Sequence, residues 1–170
     1  MTSRPYILTE DTYAKRFLHS LLLRADLKIS EGIIIPVGGR NKLIRELPRR
    51  VKMLVELKEA TRIIIIIDGD GRPDDVREEC LRRVPCSYKR LVEVIVLEQE
   101  IEEWVLKGLC LKPTSSKKPS EVLSDYLRKV RGAKRGYDKC RLPRLAGLIN
   151  IEKLIKDTNF SRLLEALRDP

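Results

Sequence analysis

Two acidic groups stand out because each directly follows an apolar, β-prone run. Glu10 follows Tyr6-Ile7-Leu8-Thr9, and Asp68-Gly69-Asp70 follows the unbroken isoleucines Ile63 to Ile67. Carboxylates gathered in one crevice repel one another and resist ionisation until a cation neutralises them. An oxygen-only donor set suits a hard divalent ion, which points to Mg²⁺, or Mn²⁺ in its place. Gly69 lets the Asp68 and Asp70 carboxylates bend toward one ion. Plainer explanations exist: Asp and Gly are favoured in any turn, and a glutamate opening a helix complements its dipole.

Strands and helices must bring these groups together. Tyr6 to Thr9 reads as a strand, followed by a helix whose spacing repeats Tyr13, Phe17, Leu18, Leu21 and Leu22. Ile33 to Val37 reads as a second strand ending at Gly38-Gly39, then a helix with Leu43, Ile44 and Leu47 that breaks at Pro48. A separate helix runs from Arg49 to about Ala60. The isoleucine run predicts a central parallel strand covered on both faces, after which Asp74 or Asp75 caps a helix. Leu91 to Leu97 predicts a fourth strand, feeding a helix that begins near Glu98. Strands alternating with helices predict an α/β, Rossmann-like fold: a central four-stranded parallel sheet, helices on both faces, and a C-terminal helical extension. In such sheets, functional groups gather outside the carboxyl ends of the strands. Residues 1–110 are expected to form the core, and 111–170 a basic loop and helical extension packed on the same domain.

The 170 residues carry a net charge of +10, unevenly placed. From Lys107 to Arg144 there are twelve basic residues against three acidic ones, a distribution that attracts polyanions and predicts nucleic acid as partner. Lys134, Arg135 and Arg141 are the candidate contacts there. Arg40 and Lys42, beside Gly38-Gly39, are further candidates, the glycines either admitting a phosphate or merely capping a helix. No apolar run reaches the length of about twenty residues that spans a bilayer, and the start at Met1 has no leader-like pattern, so a cytoplasmic location is expected. With one histidine, His19, and no CxxC spacing, a Cys/His zinc site has almost no ligand set to draw upon. Cys80, Cys86, Cys110 and Cys140 are expected to be buried thiols. The single glutamine, Gln99, and few asparagines suggest a thermophile, in which a Cys80–Cys86 bridge would be tolerated.

Ile7-Leu8-Thr9-Glu10-Asp11-Thr12 and Ile65-Ile66-Ile67-Asp68-Gly69-Asp70 resemble the glutamate and Asp-x-Asp motifs of the TOPRIM domain. Asp11 stands where that family has a glycine, and Thr9 where it has an apolar residue. Val37-Gly38-Gly39, Glu100 to Leu106 and Tyr137-Asp138-Lys139 are similar to small stand-alone TOPRIM-like proteins related to the OLD nucleases. The resemblance implies a TOPRIM fold and Mg²⁺-dependent phosphodiester chemistry on nucleic acid, with DNA ranked ahead of RNA. It implies Glu10, Asp68 and Asp70 as catalytic metal ligands, Glu102 as a further ligand with Glu100 as the substitute, and Lys139 as the charge that steadies the transferring phosphate. A nuclease is the expected enzyme. The alternative is a non-catalytic nucleic-acid-binding or accessory protein on the same scaffold. No GxxxxGK[ST] occurs, so an ATPase would be a separately encoded partner. Trp104 is expected to anchor the core.

Overall fold

The computed structural model describes residues 4–168; Met1, where the leader reading began, lies outside them. Four parallel strands, β1 (Pro5–Thr9), β2 (Ile34–Pro36), β3 (Arg62–Asp68) and β4 (Val92–Leu97), form one sheet in the order β2-β1-β3-β4. The isoleucine run explains why β3 is central. Successive side chains of a strand point to opposite faces, so Ile64 and Ile66 enter one apolar cluster while Ile63, Ile65 and Ile67 enter another.

Each face is covered by different helices. Leu43, Ile44, Leu47, Val51 and Leu54 of α2 (Arg40–Lys58) pack on one side with Val76 and Cys80 of α3 (Pro73–Arg83). The other side receives α1 (Thr12–Arg24), α4 (Glu102–Gly108) and α5 (Pro119–Arg131). The short α6 (Leu142–Leu145) and α7 (Ile151–Leu154) and the final α8 (Thr158–Arg168) complete that layer. Trp104 is fully buried there, edge-on to Phe160 at 5.2 Å between ring centroids. Its indole N–H donates to Asp157 Oδ1 at 3.1 Å, so a core anchor is what it is. No helix among the described residues is long and apolar enough to cross a membrane.

Three local expectations are corrected. Pro48 does not break a helix: α2 runs through it. An interior proline costs about 3 kcal/mol, but the five buried apolar side chains of this stripe each contribute roughly 1.5–3 kcal/mol, which outweighs it. The fourth helix starts at Glu102, not near Glu98, because the intervening backbone is occupied elsewhere: the Glu98 and Gln99 carbonyls accept from Gly71 and Asp70 N–H. The third helix begins at Pro73 after Arg72, so Asp74 and Asp75 lie in its first turn rather than at the cap.

The cysteines also depart from expectation. All four are free, and only Cys80 is buried; Cys86, Cys110 and Cys140 are exposed, and no Cys80–Cys86 bridge forms. Cys80 faces the core from α3, whereas Cys86 lies in an exposed turn beyond that helix's end.

Candidate active site

The strand order reverses direction between β1 and β3, since β1 is followed spatially by β2 on one side and by β3 on the other. That switch point is where the loops diverge and leave a crevice at the carboxyl ends of the strands. Glu10 leaves β1 there and Asp68 ends β3. The Asp68 N–H donates to Glu10 Oε1 at 2.8 Å, which sets the two carboxyl groups side by side. The backbone carbonyl of Glu10 accepts from both Gly38 and Gly39 N–H at 2.7 Å each. Those glycines, at φ 97° and 109°, are thus spent on holding Glu10 rather than left open to a phosphate.

Asp68 Oδ1 accepts from Ile101 N–H at 2.9 Å, binding the end of β3 to the loop that precedes α4. Burial, then the neighbouring Glu10 charge, push the Asp68 carboxyl well above the usual range, with Lys139 working against them. Burial likewise raises Glu10, against the opposing pull of its hydrogen bond from Asp68 and of Lys139. Two crowded, reluctant carboxylates therefore share this crevice.

Glu102 completes the acidic wall. It is 1% exposed, and its Oε1 accepts from the Tyr137 hydroxyl at 2.6 Å. Its Oε2 is buried with no hydrogen-bond partner among the described residues, a costly state for a carboxylate oxygen. Burial raises the Glu102 carboxyl, and burial followed by the Glu102 charge raises the Tyr137 phenol. Glu100, the substitute candidate, is turned aside: its Oε1 accepts from the Ser120 hydroxyl at 2.7 Å and the Ser120 N–H at 3.3 Å.

Lys139 is the cation of the site. Its Nζ lies 3.1 Å from Asp11 Oδ2. Burial opposes its charge, yet Glu102, Asp11 and Asp68 together hold its pKa above the ordinary lysine value. Asp11 therefore has two tasks where a glycine was expected, because its Oδ1 also caps α1 by accepting from Ala14 N–H at 2.8 Å.

Asp70 does not join Asp68. It adopts a left-handed conformation at φ 49°, and its half-exposed carboxylate faces Arg40 at 2.6 Å and Lys118 at 3.8 Å. Gly69 forces this divergence. A Cβ there would run into the Leu97 carbonyl oxygen and come within 2.9 Å of that of Glu98, so the loop lies flat against the end of β4 and turns outward. Among the described residues, no three His, Cys, Asp or Glu side chains converge closely enough to hold an ion by themselves.

No sequence-family profile and no curated protein matches the chain. Among solved structures, the C-terminal region of the Burkholderia pseudomallei OLD protein matches with a TM-score of 0.62 at 14% identity, over 99% of this chain and 98% of that one. The chain has the fold of that OLD region. The C-terminal region of the Xanthomonas campestris pv. campestris OLD protein gives a TM-score of 0.49 at 16% identity, over 98% and 93%. The α/β architecture with its parallel sheet and the OLD-related fold implied by the sequence resemblance agree with the first of these.

Only some of the basic side chains meet acidic groups of the crevice among the described residues. Arg40 reaches it through Asp70, and Lys118 and Lys139 reach it from the basic stretch. Lys42 is exposed one turn into α2. Lys134 and Arg135 are exposed in the loop after α5, and Arg141 donates to the Gly136 carbonyl at 2.8 Å. Sequence reasoning missed the capping and pairing work of Asp11, although an aspartate just before a helical pattern is a recognised cap signal. It also missed Tyr137 as the partner of Glu102 and Ser120 as that of Glu100; no local signal links residues 35 and 20 positions apart.

Proposed function

We propose that this protein hydrolyses nucleic-acid phosphodiesters with the help of Mg²⁺ or Mn²⁺ held at Glu10 and Asp68. The observation that carries the reading is the meeting of Glu10 and Asp68 at the switch point, where the Asp68 N–H donates to Glu10 Oε1 at 2.8 Å, with the buried Glu102 carboxyl on the same wall. The donors fit a hard cation because all are oxygens. Mg²⁺ is usually held by one or two carboxylates plus waters and substrate phosphate oxygens, and the Glu10 and Asp68 carboxyls would supply that share. Bound there, the ion would supply polarisation of the phosphoryl oxygen and a more acidic attacking water.

The chain's own residues account for the rest. The Asp68 N–H and the two glycine N–H groups fix Glu10, and the Ile101 N–H fixes Asp68, so both are oriented before any ligand arrives. Lys139 would place a half-buried positive charge where phosphate charge accumulates. Arg40 and Lys118, now on Asp70, present cations at the rim. Exchange of these contacts for substrate phosphates frees Asp70, and Glu102 stands ready as a further ligand. Lys42, Lys134, Arg135 and Arg141 extend the positive surface along the strand.

One observation favours a second reading. The Lys139 ammonium already stands among the carboxylates, which suits a non-catalytic nucleic-acid-binding or accessory protein, working beside a separate ATPase. Cleavage of labelled DNA, then RNA, with Mg²⁺, Mn²⁺ or EDTA separates the two. The nuclease reading expects metal-dependent cutting that Glu10→Gln or Asp68→Asn lowers by more than about a hundredfold, as even residues behind metal ligands cost about 10- to 100-fold. Binding without cutting under every metal condition selects the accessory role.

A further inference from the structure

The opposite end of the sheet holds a second pocket, of about 320 Å³, that no part of the proposed reaction uses. Arg62, Arg77, Arg90 and Arg162 line it, with Glu93 as the one acidic group among the described residues. Arg62 opens β3 and Asp68 closes it, so at about 3.3 Å per residue the pocket lies roughly 20 Å from the acidic crevice.

Glu93 is already committed. Its Oε1 accepts from Arg162 Nη2 at 2.9 Å and Nε at 3.2 Å, and its Oε2 lies 3.8 Å from Arg62 Nη1. Among the described residues, Arg77 and Arg90 form no ion pair with a carboxylate. Four arginines thus line the pocket beside one carboxylate, an excess of positive charge that attracts an anion. The planar fork of arginine matches phosphate oxygens two at a time. Leu81, 36% exposed, adds an apolar wall to the same pocket. The volume sits at the low end of the roughly 300–1,000 Å³ typical of small-ligand sites, and the distance from the crevice sets it apart from a strand being cut there.

We propose that this pocket binds a short phosphate chain, carried either by free pyrophosphate or by a nucleoside di- or triphosphate. Arg77 and Arg90 are the primary receptors. Arg62 and Arg162 frame the chain while holding Glu93, and Leu81 is positioned to cover an attached base. Binding needs neither a metal nor the carboxylates of the crevice.

Isothermal titration in EDTA with pyrophosphate, ADP and ATP tests this, using the full chain and Arg77→Gln/Arg90→Gln, Glu93→Gln and Asp68→Asn variants. Saturable binding to the wild type is expected, weakened by about tenfold or more in the double arginine variant, since charge-assisted bonds of this kind are worth about 1.5–3 kcal/mol. Glu93→Gln removes the competing anion and tightens binding, a gain that no misfolded variant produces, and Asp68→Asn leaves it unchanged. Equal affinity for pyrophosphate and the nucleotides identifies the phosphate chain as the whole ligand; tighter nucleotide binding adds the base. Absence of binding to the wild type, binding indifferent to Arg77 and Arg90, or binding lost with Asp68→Asn overturns the proposal. So does a DNA duplex that alone depends on these arginines, which makes the pocket a nucleic-acid contact.

Discussion

The two ends of the sheet handle charge in opposite ways. At the carboxyl end, Glu10 and Asp68 are partly and Glu102 fully withdrawn from water, held by backbone N–H groups or a tyrosine, with one lysine among them. At the amino end, four partly exposed arginines surround one glutamate, and only two of them engage it. Buried, fixed charge of one sign stores unfavourable energy that a ligand releases, and the fixing groups make it selective. Half-exposed charge on long side chains is screened and adaptable, so it recognises a class of anion with little stored strain. Substitutions at the carboxyl end should therefore shift stability, in either direction, together with function, and those at the amino end chiefly binding.

The largest expected effect is that of Gly69→Ala. The new methyl meets backbone oxygens, which cannot rotate away, so the loop must lift off β4 and lose its bonds to Glu98 and Gln99. A cost of about 1–3 kcal/mol, a fall in melting temperature of roughly 3–10 °C and loss of cleavage are expected. Gly147→Ala, at a glycine with nothing within 4 Å of the added carbon, is the control and should change little in a thermal melt.

Reversing Lys134, Arg135 and Arg141 together comes next. Nucleic-acid binding measured over a salt series should weaken, its log–log slope falling by about 0.9 for each phosphate that the variant no longer neutralises. An unchanged slope reduces this stretch to a solvated face. Tyr137→Phe leaves both Glu102 oxygens buried without a partner among the described residues and should cost about 1–2 kcal/mol in chemical denaturation, toward the lower end of the penalty for an unsatisfied buried group. The smallest belongs to Arg162→Ala: its bond to Glu93 is partly exposed, so no more than about 1 kcal/mol of stability should be lost. A loss matching that of Tyr137→Phe would erase the contrast between the two ends.

Much of the fold was legible because its strongest signals are local. The five isoleucines of β3 could be buried on both faces only in a central strand, and Glu10 and Asp68 were recognisable as the residues that follow β1 and β3. What escaped depends on contacts between distant segments. Asp70 was expected to join Asp68, but its direction is set by the Leu97 carbonyl behind Gly69 and by Arg40, thirty residues away. Pro48 was read by its local cost, while the stripe it interrupts is stabilised by the sheet. The arginine pocket had no sequence signal at all, since its four cations come from β3, α3, the turn before β4 and α8.

The central claim, that Glu10 and Asp68 form a divalent-cation site, is tested most directly by thermal unfolding of the wild type and Asp68→Asn across a Mg²⁺ and Mn²⁺ titration starting from EDTA. An ion bound only by the native state stabilises it by about 2.7 kcal/mol at a hundred times its dissociation constant, or roughly 5–10 °C for a chain of this size. The account predicts that the wild type gains this stability. It predicts that Asp68→Asn starts higher in EDTA, because crowding with Glu10 is relieved, and then ignores the metal. A wild type indifferent to both ions at millimolar concentration, or an Asp68→Asn variant less stable than the wild type in EDTA, would contradict it.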